Sequence, residues 1–160
     1  MTEVLILTLF GAAVGWFLNQ YKVVVSENAS LIKSHIVDIE GFADAAQVYW
    51  LTEPETLRDE KILSAKLKAK HAAIAIFHGE AAKRLTIERL REYQMLQLRL
   101  FKVSTGGSFE TAGREIDPIR AIEAYEISAQ LIHILRFAAK EQVSLRALLS
   151  TLYYKLTGRP

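Results

Sequence analysis

The sequence predicts an all-α protein in which one N-terminal membrane-spanning helix is followed by an elongated helical bundle or hairpin domain. Three observations predict it. Apolar residues recur every three to four positions through most of the chain, the spacing that gives a helix one buried face. No useful stretch alternates apolar and polar residues as a half-buried strand does. The run from Val4 to Leu18, VLILTLFGAAVGWFL, carries no charge at all.

The N-terminal run is 15 residues long, about 22 Å of helix against a hydrocarbon core of about 30 Å. Val23, Val24 and Val25 renew its hydrophobicity, while Lys22 can snorkel and Trp16 and Tyr21 suit an interface, so a thin bilayer suffices. Residues 1–25 are therefore expected to form the anchor and residues 26–160 a helical water-facing domain. Burial as a core helix is the competing expectation. Lys22 and Lys33 follow the run and no Lys or Arg precedes it, which puts the C-terminal domain in the cytoplasm by the positive-inside tendency. Gly11 and Gly15, next to Ala12 and Ala13, form a small-residue face suited to helix association in lipid.

Asn28 is the expected cap of a helix running to about Leu51, with Leu31, Ile32, Ile36, Ile39, Phe42, Ala46 and Trp50 at helical spacing. Gly41 inside it costs about 1 kcal/mol relative to Ala and either permits close packing or introduces flexibility. Thr52 and Glu55 have capping-box spacing around Pro54, so the next helix is expected to start at Glu53. It continues to about Val103, either kinked near Gly79 or folded as a hairpin. The loop STGGSFETAGREID ends at Asp117 and Pro118, the cap and first residue of a helix reaching about Glu141. Ser144 is expected to cap a last helix carrying Leu145, Leu148, Leu149, Leu152 and Leu156 on one side.

The chain has 160 residues, 51% apolar and 24% charged, enough for one domain with a core and inconsistent with disorder. A net charge of +2 is too small to favour nucleic acid as a partner. Charge is uneven, however. Residues 28–60 are acidic, and residues 61–103, with Lys66, Lys70, Arg84, Arg91 and Lys102 among others, are basic. Two such segments are expected to lie side by side and neutralise each other. The absence of cysteine excludes disulfides, thiolate nucleophiles and thiolate zinc sites.

No nucleophile elbow, HExxH or phosphate-loop signature occurs, so no enzyme, cofactor or metal is expected. On a straight helix His71 and His78 would stand about 10.5 Å apart along the axis, too far to share a metal. His35 and Asp38 read as a polar helix edge. Gly106, Gly107, Ser108, Thr111 and Arg114 form a candidate anion-binding loop, since backbone amides and a guanidinium can converge there. The function expected is a membrane-tethered helical interaction module, self-associating, that partners lipid and further copies or membrane proteins as a scaffold or accessory subunit. A pore lined by Asn19 and Gln20 is the alternative, because polar groups at membrane depth avoid lipid.

Overall fold

The structure is a computed structural model that describes residues 2–111 and 113–142, with the side chains of residues 2–5 and 142 left out. It is all-helical among the described residues, in five segments: α1 (Thr2–Leu51), α2 (Leu57–Ile76), α3 (His78–Arg84), α4 (Ile87–Thr105) and α5 (Pro118–Gln142). Two compact units partition the chain. Residues 32–138 form one, and the described residues 2–31 and 139–142 belong to the other. The helix expected after Ser144 lies outside the described residues.

Asn28 does not begin a helix. It lies within α1, because neither Gly nor Pro occurs between Gly15 and Gly41 to interrupt the backbone hydrogen bonds. Among the described residues no helix is long and apolar enough to cross a membrane, which corrects the expectation of a complete span. Asn19, Gln20 and Lys22 follow the apolar run too closely, and its described side chains from Ile6 to Leu18 cover only about 20 Å at 1.5 Å per residue.

The 32–138 unit is a bundle whose core joins Ile39, Phe42, Ala46 and Trp50 of α1 to Leu67 and Ile74 of α2, Tyr93 and Leu100 of α4, and Ala124, Ile127, Leu131 and Leu135 of α5, all at most 2% exposed. Of the two expected uses of Gly41 the structure shows close packing: a Cβ there would stand 3.2 Å from Lys70 Nζ, so its absence leaves room for the α2 lysine to cross α1.

The α2 start differs from the expected one. Residues 52–56 form the connection, and Thr56 caps the helix by accepting a hydrogen bond from Asp59 N–H while the Asp59 carboxylate accepts from Thr56 N–H, a reciprocal capping box. The Thr52 carbonyl is engaged elsewhere, by Arg114 Nη2 at 2.9 Å. The stretch up to Val103 is not one helix: it turns two residues before Gly79, near the expected kink, and folds back as the expected hairpin, with His71 of α2 against Phe101 of α4. It breaks at Phe77 and again at Leu85, whose extended backbone (φ −102°, ψ 146°) reverses the chain before Thr86 caps α4. α5 starts at Pro118 as expected, with Asp117 Oδ1 accepting from Arg120 N–H at 2.9 Å.

Opposite charge on the two unevenly charged segments does not resolve into ion pairs. The acidic and basic stretches are neighbours, since the Phe42 and His71 rings lie 6.1 Å apart, yet no ion pair among the described residues joins 28–60 to 61–103. Lys68 pairs with Glu110, Arg99 with Glu123, Glu60 with Arg114 and Glu40 with Arg136. Each acidic partner of the basic stretch comes from its own helix or from the later loop and α5.

Candidate functional site

The N-terminal third of α1 is the feature that most needs a functional account. Every described side chain from Ile6 to Trp16 is exposed, on all sides of the helix. Ile6, Leu7, Leu9, Phe10, Val14, Trp16 and Leu18 leave between 41 and 70% of their surface uncovered. A helix that is apolar all round is stable in water only when something covers it. A Cβ placed at Gly11 or Gly15 meets nothing within 4 Å, so the small-residue face between them is open. The first polar residues to follow are also exposed: Asn19 lines a shallow groove of about 320 Å³ with Lys22, Val23, Ser26 and Glu27, whereas Gln20 is not part of its lining.

The candidate anion loop is organised around its own protein. Arg114 is buried, with its Nε 3.2 Å from Glu60 Oε2, and its guanidinium lies 4.1 Å over the Tyr49 ring and 5.4 Å from the Trp50 ring. Tyr49 O–H donates to the other Glu60 oxygen and accepts from Glu110 N–H at 2.9 Å. Burial pushes the Tyr49 phenol up to about 12, and its bond to the Glu60 carboxylate adds to the shift, so Tyr49 stays a proton donor at neutral pH. Removing Arg114 alone would leave Glu60 charged and unpaired in the core, a loss of about 3–5 kcal/mol. Arg114 thus ties the loop to the α1–α2 connection.

The two glycines of that loop serve close approach. A Cβ on Gly106 would fall 2.6 Å from the Lys102 carbonyl oxygen, and Gly107 combines φ +64° with Arg120 Nη2 only 2.8 Å from the Cβ position. Arg120 in turn donates to the Val103 carbonyl at 3.0 Å and lies 4.7 Å over Trp50. Ser108 accepts through its carbonyl from Thr111 N–H at 3.1 Å. Trp50 closes the arrangement: its indole N–H donates to the Ser104 carbonyl and its own carbonyl accepts from Asp117 N–H. These bonds satisfy backbone groups that α1 and α4 would leave open at their C-termini.

His35 turns into the core and away from a polar edge. Its ring stacks on Phe77 with centroids 3.9 Å apart, and Nε2 is 2.6 Å from Tyr93 Oη. Burial lowers its pKa to about 4, and Nδ1 is buried with no hydrogen-bond partner. The signal was in the sequence, because His35 is three residues from Ile32 and four from Ile39, on the apolar face. His71 and His78, separated by the break at Phe77, line one groove on the α2–α4 side with Gln94, Gln97, Leu98 and Phe101. No group of three metal-ligating side chains occurs among the described residues.

Comparison with protein-family models, with curated proteins and with solved structures returns no match for this chain.

Proposed function

We propose that the chain is a membrane-tethered helical interaction module, held in lipid by the N-terminal part of α1 and acting through its bundle as a scaffold or accessory subunit of a membrane complex. The supporting observation is the collar from Ile6 to Trp16, where every described side chain is exposed, so that large aliphatic and aromatic groups point outward on all sides of one uncharged helical stretch. Each Leu, Ile, Phe or Val at the centre of a lipid-embedded helix contributes about 0.3–0.6 kcal/mol, and Val4 and Leu5 lengthen the collar in sequence. The mismatch with a full bilayer is met by local thinning and by Lys22 reaching the headgroups. Lys22 and Lys33 favour a cytoplasmic bundle.

Self-association belongs to the same reading, because the open Gly11 and Gly15 face lets two such helices approach closely in lipid. The test is flotation of the full chain with phosphatidylcholine vesicles, comparing the parent with Leu9→Arg. A charge at the helix centre costs about 3 kcal/mol on insertion, so the variant is expected to remain in the dense fractions while the parent floats. A parent that stays with the dense fractions, or a variant that floats equally well, removes the basis for the tether.

A further inference from the structure

Apart from the tether, one groove of the 32–138 unit gathers side chains whose hydrogen-bonding capacity is unspent. His71 on α2, His78 at the start of α3, and Gln94 and Gln97 on α4 line a hollow of about 480 Å³, with Leu98 and Phe101 supplying apolar walls. Seven residues apart, the two histidines lie on one side of the α2–α3 stretch, across the turn at Phe77. Here α2 ends at Ile76 and His78 opens a separate segment.

None of these four polar side chains makes a hydrogen bond within the protein among the described residues, and no Asp, Glu, Lys or Arg lines the groove. A charged ligand group would find no counter-ion there. Each glutamine amide offers an acceptor oxygen and a donor nitrogen, and each neutral imidazole offers one of each. The groove therefore presents mixed donors and acceptors beside an aromatic ring already in ring contact with His71, centroids 4.3 Å apart. Its volume is within the range that holds small ligands, about 300–1,000 Å³.

We infer that this groove binds a neutral, flat heteroaromatic ring of the purine class, stacked against Phe101 and read at its edge by the Gln94 and Gln97 amides. A carboxamide matches the neighbouring donor and acceptor on a purine edge bidentately, and base-on-aromatic stacking tolerates the identity of the base. A metal ion is the weaker occupant, because zinc takes four ligands and only two imidazoles are present. Burial lowers the pKa of His71, which keeps its imidazole neutral at physiological pH.

The experiment is a titration of the ¹⁵N-labelled full chain in detergent micelles with adenosine and with guanosine, following the side-chain amide signals of Gln94 and Gln97. Saturable shifts are expected for at least one nucleoside, and the Gln94→Ala/Gln97→Ala pair should weaken binding about tenfold or more. His78→Ala, at an exposed position, gives a second variant that should weaken binding with no change in helix content. A short deoxyadenylate strand separates two sources of the base: equal affinity per base assigns a free nucleoside, and a gain of about tenfold assigns a base held in a strand. No saturable shift with either nucleoside, unchanged affinity in the double variant, or shifts of His71 and His78 produced by zinc chloride alone would each overturn the assignment.

Discussion

His35 shows how one buried side chain sets a pH limit. Enclosed by Phe77 and Tyr93, it stays neutral in the fold down to about 4, while in the unfolded chain it takes a proton near 6.5. Its contribution is complete above 6.5 and is lost as pH falls towards 4, with a slope approaching about 1.4 kcal/mol per pH unit. Half-buried His71, lowered for the same reason, adds in the same direction. Urea unfolding followed across this window should show parent stability falling with acid and a shallower fall in His35→Gln, which keeps a partner for Tyr93 but does not titrate. Equal slopes in the two proteins would contradict the role given to His35. At this scale the sequence was legible where spacing governs: His35 shares the Ile32 and Ile39 face. It was not legible for Arg114 and Glu60, which are 54 positions apart. A loop arginine among glycines has the same local signature whether it faces solvent or a buried carboxylate.

Among the helices, length and face were readable from periodicity, and most errors fell at ends that tertiary contacts decide. Thr52 and Thr56 both begin a Thr-x-x-acid sequence, so local chemistry alone allows either as a cap. The bundle selects Thr56, because the Thr52 carbonyl is taken by Arg114 and residues 52–56 make the connection from α1 to α2. Thermal or urea unfolding should therefore show a loss of about 1 kcal/mol for Thr56→Ala, typical of an N-cap removed, with a much smaller loss for Thr52→Ala. The reverse order would place the start of α2 at Glu53. The C-terminal reversal at Leu85 carries neither Gly nor Pro, which is why the stretch from Leu57 to Thr105 gave no clear sign of its second break. The Asp117 and Pro118 entry to α5 was legible because its cap is local in sequence.

For the molecule as a whole, the all-α class followed from helical spacing and from the lack of strand alternation. Spacing alone does not decide the role of the N-terminal run, since 15 uncharged residues lie between a core helix and a complete crossing, and no described helix is long and apolar enough to cross a membrane. Exposure is what sequence cannot report: every described side chain from Ile6 to Trp16 is exposed. Open helix faces at Gly11 and Gly15 carry a further consequence, that Gly15→Ile should reduce the cross-linked oligomer population in membranes; an unchanged population would separate self-association from this face. The central claim is that the start of α1 lies in hydrocarbon, and Trp16 reports on it directly. Trp50, the second tryptophan, is fully buried in the core of the 32–138 unit and so serves as an internal reference. In vesicles containing bromine-labelled acyl chains, tryptophan emission should be quenched in the parent and much less so in Trp16→Phe. Equal emission with labelled and unlabelled lipid would contradict the account, because it would place Trp16 outside the bilayer.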